Sequence, residues 1–111
     1  MRPVINKDWR LKVSGLIEIK ITSILNIKKI IGEREVVMQI PSGSTVEQLL
    51  YMMIARWGHE LADSIFEKSS GHFKPKVRLM VNGRGIGLLD KFDTILHDGD
   101  YFLILPPVGG G

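Results

Sequence analysis

Alternation is the first regular signal along the chain. In LIEIKITS, residues 16–23, Ile17, Ile19 and Ile21 alternate with Glu18, Lys20 and Thr22, the period of a strand with one face buried and the other wet. The period then changes. In ILNIKKIIGER, Ile27, Ile30 and Ile31 fall at helical spacing and Gly32 can take the left-handed conformation that stops a helix, so a short helical turn is expected. EVVMQI, residues 35–40, returns to alternation, with Val36, Met38 and Ile40 set against Glu35, Val37 and Gln39. Two such strands joined by about ten residues predict a hairpin with a wide, partly helical connection.

PSGSTVEQLLYMMIARWG, residues 41–58, holds the strongest helix pattern. Ser44 and Glu47 form an S-x-x-E capping box, and Thr45 with Gln48 offers the same arrangement one residue on. Val46, Leu49, Leu50, Met53, Ile54 and Trp57 then make one broad apolar face. Gly58 is expected to interrupt the helix, and HELADSIFEK to resume it with Leu61, Ile65 and Phe66 inward. SSGHFKP, residues 69–75, reads as loop.

In the last third, Val77, Leu79 and Val81 alternate with Lys76, Arg78 and Met80. Asn82-Gly83 then gives the strongest short hairpin signal, with a return strand around Arg84 to Ile86. LLDKFDTIL has room for one helical turn, Asp98-Gly99 marks another turn, and Tyr101 to Leu105 is the last strand. The order is strand, strand, helix, strand, short strand, strand. It closes most simply as an α+β domain, a mixed sheet of about five strands with one main helix across one face. Its expected extent is residues 16–105, after an N-terminal extension, 1–15, that is free to be flexible and before a tail, 106–111.

Composition adds bounds. At 111 residues the chain is one domain by size. A hydrophobic share of 44% and a charged share of 24% describe a soluble globular chain. No apolar run reaches the roughly 20 residues of a spanning helix, and MRPVINKDWRLKVSG lacks the apolar core of a signal peptide. No membrane role and a cytoplasmic location are expected. The net charge of +3 is unevenly spread, since residues 1–34 carry eight Lys/Arg against three acids. Such a basic half suits an acidic surface. Without interleaved aromatics, nucleic acid is not the expected partner.

Catalytic patterns fail in turn. The chain has no cysteine, which excludes disulfides, thiolate metal sites and a cysteine nucleophile. His59, His72 and His97 match no metal-ligand spacing, so no metal site is expected. NGRGIG is not a G-x-G-x-x-G fingerprint and opens no helix. Asp90, Asp93, Asp98 and Asp100 lack the EF-hand spacing and its terminal Glu, and read instead as turn and capping carboxylates. The chain is not expected to catalyse alone.

The chemistry sits at the end, YFLILPPVGGG. Pro106-Pro107 cannot continue a ladder and favours an extended exit in a fixed direction. After Val108, Gly109, Gly110 and Gly111 make the thinnest peptide available, able to enter a narrow channel. A terminal Gly carboxylate is the one reactive group such a tail presents.

In context, VRLMVNGRGIGLLDKFDTILHDGDYFLILPPVGGG, residues 77–111, resembles the C-terminal half of the MoaD/ThiS family of ubiquitin-like sulfur carriers, most of all the small subunit of molybdopterin synthase. The likeness rests on the VNG hairpin, on LHDGDYFLIL, and on PPVGGG matching that family's Pro-Pro-Val-x-Gly-Gly ending. REVVMQIPSGSTVEQLL, residues 34–50, is similar to the family's second strand, Pro-x-Gly turn and helix start. Residues 1–15 and 59–75 have no counterpart in its compact members.

The resemblance implies a ubiquitin-like β-grasp fold and a carrier mechanism. A ubiquitin-activating-type adenylyltransferase (MoeB/ThiF-like) would use Mg-ATP to adenylate Gly111. A sulfur donor protein would convert it to a thiocarboxylate, and a molybdopterin synthase large subunit (MoaE-like) would receive the tail. Gly110 and Gly111 would supply thinness and the reactive carboxyl, with Pro106, Pro107, Val108 and Gly109 positioning them, and no cofactor held by the chain itself. A carrier for thiamine or thionucleosides, a protein modifier, and a non-carrier interaction module share most of these features. Alternation in the final strand puts Phe102 and Ile104 inward and Tyr101, Leu103 and Leu105 outward. With Met80, beside Lys76 and Arg78, these form a candidate partner surface unless residues 1–15 or 59–75 cover it.

Overall fold

The computed structural model describes residues 15–107. The alternating segments become strands: β1 (Leu16–Ser23), β2 (Glu35–Pro41), β3 (Arg78–Val81), β4 (Arg84–Gly85) and β5 (Tyr101–Leu105). They form one mixed sheet in the order β2-β1-β5-β3-β4. β1 and β2 are the antiparallel hairpin, running from Leu16 opposite Pro41 to Thr22 opposite Glu35. β5 lies in the centre, parallel to β1 and antiparallel to β3.

Three helices cover one face. α1 (Leu25–Ile31) fills the β1–β2 connection, and Gly32 closes it at φ 96° with its N–H donating to the Lys28 carbonyl. α2 (Val46–Trp57) is the main helix and α3 (His59–Ile65) follows, separated from it by Gly58 at φ 84°. Of the two capping boxes in the sequence, Thr45 with Gln48 is the one formed. Gln48 N–H donates to Thr45 Oγ1 at 3.3 Å, and Thr45 N–H donates to Gln48 Oε1 at 2.9 Å. Ser44 is buried in the preceding turn instead, its hydroxyl donating to the Pro41 carbonyl at 2.6 Å. The turn that wraps Ser44 therefore moves the helix start one residue on.

One core joins these layers. Ile19 and Ile21, Ile40, Leu79, Phe102 and Ile104 from the sheet meet Ile27 of α1, Leu49, Leu50 and Met53 of α2, and Leu61 and Ile65 of α3. Ile54 and Trp57, expected inward, are only partly buried at the margin, where the Arg56 guanidinium lies 4.6 Å from the Trp57 ring centroid. Phe66 is likewise partly buried. Residues 59–75 pack on this helical side, Phe73 standing edge-on to both Phe66 and Phe92 with ring centroids 6.1 and 5.0 Å apart. A short 3₁₀ turn, Lys91–Asp93, falls where a helical turn is expected, and a second, Ile86–Leu88, begins where the expected return strand would end, so that strand pairs only over Arg84–Gly85.

Phe102 is fully buried at the centre of this packing. Phe102→Ala should lower stability by about 3–5 kcal/mol, read as a shift in the urea midpoint with an unchanged slope. A shift corresponding to under about 1 kcal/mol would show that the β5 contacts do not organise the core.

Candidate functional site

The site is the end of β5 and the sheet face beside it, so its geometry starts with what aims β5. The Asn82-Gly83 hairpin has positive φ at both central residues, 51° and 82°, the conformation that suits the twist of a tight hairpin. That turn and the one before β5 are clasped together. Asn82 Nδ2 donates to Asp100 Oδ1 at 2.9 Å, and Asn82 Oδ1 accepts from the Tyr101 N–H at 2.9 Å. Asp100 Oδ2 in turn accepts the His97 N–H at 2.8 Å. Asp98 Oδ1 accepts the Glu18 N–H at 2.8 Å, and the Gly99 N–H donates to the Glu18 carbonyl at 2.8 Å. The carboxylates read as turn and capping groups thus tie β5 to β3 on one side and to β1 on the other.

A second tie comes from the main helix. Val46 N–H donates to the Thr94 carbonyl and Leu96 N–H to the Ser44 carbonyl, both at 2.9 Å. The helix start and the approach to β5 are held as one unit, and Leu96 is buried there.

From this fixed start β5 runs five residues. Phe102 and Ile104 enter the core, while Tyr101, Leu103 and Leu105 lie on the opposite face. The register sets Leu103 opposite Met80 and Leu105 opposite Arg78, so four of the expected surface residues come together with Arg78 at the rim. Tyr101 is 52% exposed, and Leu103, Leu105 and Met80 are half-buried. Lys76 is exposed just before β3. Of the described residues, 59–75 pack on the helical side and not over this face. Pro106 is buried and Pro107 exposed. Having no N–H, neither can extend the ladder, and the chain leaves the sheet after Leu105. Val108, Gly109, Gly110 and Gly111 lie outside the described residues, as do residues 1–14.

Two further exposed residues, the first on this surface and the second at the start of α1, are not singled out by sequence alone. Lys20 Nζ stands 5.0 Å from the Tyr101 ring centroid and 3.4 Å from its hydroxyl, a cation held over an aromatic face. Alternation places Lys20 on the outer face, but only the parallel pairing of β1 with β5 brings it to Tyr101. Leu25 is 55% exposed at φ 57°, a conformation unfavourable for a bulky side chain. It follows Ser23, the partner of Ile104, and so stands at the tail end of the sheet. The signal for it was an apolar residue out of step with Ile27 and Ile31.

His59, His72 and His97 are all exposed. No group of three His, Asp or Glu among the described residues could hold a metal ion, and no helix among them is long and apolar enough to cross a membrane.

Comparison with known proteins gives a consistent result. Residues 26–111 match the ThiS family. Small archaeal modifier protein 3 of Haloferax volcanii is 30% identical over 94 residues, covering 85% of this chain and 99% of that protein. The solution structure of small archaeal modifier protein 1 from Methanosarcina acetivorans superposes with a TM-score of 0.73 at 28% identity, covering 86% of this chain and 98% of that one. A Pyrococcus furiosus chain provisionally named molybdopterin converting factor, subunit 1, has a TM-score of 0.66 at 23% identity, covering 83% of this chain and 99% of that one. That last likeness speaks to the fold, and the fold is the ubiquitin-like β-grasp.

The clasp is directly testable. Asn82→Gly keeps the turn conformation and removes both side-chain hydrogen bonds, and should cost about 1–2 kcal/mol in chemical denaturation. Asn82→Ala should cost roughly 1 kcal/mol more, because alanine is unfavourable at positive φ. Wild-type stability in the glycine variant would remove the clasp from the account.

Proposed function

The chain belongs to the ThiS family, the MoaD/ThiS group of ubiquitin-like sulfur carriers, and from that premise we propose that it carries sulfur on the carboxyl group of Gly111. The observation that supports this reading best is the end of β5. A strand paired on both sides stops at Leu105, two prolines direct the chain away from the sheet, and Val108 and three glycines follow.

A carboxylate resists nucleophiles until its oxygen becomes part of a leaving group. The Gly111 carboxylate attacks the α-phosphorus of Mg-ATP on an adenylyltransferase of the ubiquitin-activating type, releasing pyrophosphate and forming an acyl-adenylate. Sulfur from a donor protein displaces AMP. Where it arrives as a persulfide, a second thiol reduces the acyl disulfide so formed. The product is a thiocarboxylate, a sulfur nucleophile at neutral pH. The chain holds no cofactor and does no chemistry unaided: it presents the carboxyl, the glycines let it pass a narrow entrance, and Tyr101, Leu103, Leu105 and Met80 dock the body.

The destination we favour is molybdopterin synthesis in the cytoplasm, with this chain as small subunit and the tail inserted into a large subunit that passes sulfur to a pterin precursor. The Pro-Pro-Val ending supports it, as does the fold shared with the Pyrococcus furiosus chain. A second reading is conjugation, in which a lysine amine of a target protein takes the activated acyl group. It is favoured by the relatives named as small archaeal modifier proteins.

Intact-protein mass spectrometry after incubation with the activating enzyme, Mg-ATP and a sulfur donor tests the carrier reading. The expected result is a mass gain equal to replacing one oxygen by sulfur, absent from a chain ending at Gly109. No gain with several activating enzymes, together with isopeptide-linked adducts on lysines, would transfer the assignment to conjugation. Leu103→Glu should leave folding intact and weaken complex formation with the activating enzyme by at least about tenfold, the effect of losing roughly 1.4 kcal/mol. Unchanged affinity would place docking elsewhere.

A further inference from the structure

The far edge of the sheet carries a second surface, unconnected with the tail. Ser23 N–H donates to the Arg34 carbonyl at 2.9 Å and Ser42 N–H to the Gly15 carbonyl at 2.7 Å. In the unbroken antiparallel register between these bonds, Val36, Met38 and Ile40 direct their backbone groups toward β1. Glu35, Val37 and Gln39 direct theirs away. No described strand lies beyond β2, and among the described residues these outward N–H and C=O groups have no partner. The side chains of the same three residues are exposed, Val37 at 46%.

We propose that this edge pairs with the same edge of a second copy, antiparallel and two-fold about Val37. The argument for a second copy is the strand's fit to itself. Centred on Val37, each Glu35 faces Gln39 of the other copy, the two valines meet, and all three outward residues exchange both backbone hydrogen bonds. Centring on Glu35 sets two carboxylates opposite each other, which is unfavourable. Moving the centre toward Gln39 brings Pro41, without an N–H, into a hydrogen-bonded position. The two-fold axis stands perpendicular to the sheet, so both helical layers fall on one side and both Tyr101–Leu103 surfaces on the other. Because β5 is antiparallel to its counterpart, the tails leave at opposite ends. Three residues a side fall far short of the ~1,200 Å² of a stable interface, so pairing belongs to high local concentration, as when copies gather on a multivalent partner.

The absence of cysteine from the chain makes the test clean. In the paired state the two Val37 positions are about 5.5 Å apart, inside the range a disulfide spans. The two Glu35 positions are roughly 14 Å apart, outside it. Under mild oxidation of the full chain, V37C should form a disulfide dimer at least about tenfold faster than E35C, through the effective concentration that pairing provides. Amide exchange at Glu35, Val37 and Gln39 should slow as protein concentration rises, and V37P, whose lost N–H points away from β1, should abolish that slowing while keeping the fold. Equal rates for V37C and E35C would overturn the proposal. So would slow exchange independent of concentration, which would assign the edge to another segment of the same chain, such as the residues before Gly15.

Discussion

The register of β5 is the constraint on which the rest depends. With side chains alternating across a sheet, a slip of one residue would move Phe102 and Ile104 into water and drive Tyr101, Leu103 and Leu105 into the core. It would also shift the point where the ladder meets Pro106. Core, outer face and tail exit are therefore set together. The clasp between Asn82 and Asp100, with Asp98 reaching Glu18 on the other side, holds β5 at its first residue, at the opposite end from Leu105 where the strand stops.

This arrangement separates two demands that conflict in a small protein. A tail entering a partner's channel needs to be thin and unpaired, whereas docking needs an ordered surface. In the proposed carrier role, Gly109–Gly111 would meet the first demand, and a strand with neighbours on both sides meets the second. Pro106 and Pro107 mark the change, because a residue without an N–H cannot be recruited into the sheet. Lys20 over Tyr101 adds an ordered cation to the same face.

Much of this was legible beforehand. The alternation of Ile17, Ile19 and Ile21, the helical face from Val46 to Met53, the glycine stops and the Asn-Gly hairpin all rest on local stereochemistry, and local stereochemistry is written in short windows of sequence. What escaped depends on partners distant along the chain. Thr45 displaces Ser44 as the cap because Ser44 is drawn into the turn around Pro41. Asn82 reads as a turn residue, yet its side chain spans to Asp100. Lys20 reads as one more wet position until β1 lies parallel to β5. The roles of Gly110 and Gly111 were read from residue type and from resemblance, since those residues lie outside the described structure.

Parallel pairing of the first strand with the last has a consequence for synthesis. β1 leaves the ribosome shortly before β2, its neighbour in sequence, but its other neighbour, Tyr101 to Ile104, is made about eighty residues later. Until β5 has been made, the inner face of the hairpin lacks Phe102 and Ile104, and contacts so distant in sequence form late in folding. A product cut short before β5 therefore lacks the strand that completes the core. The fold and the outer face beside β5 become complete together, in one late step.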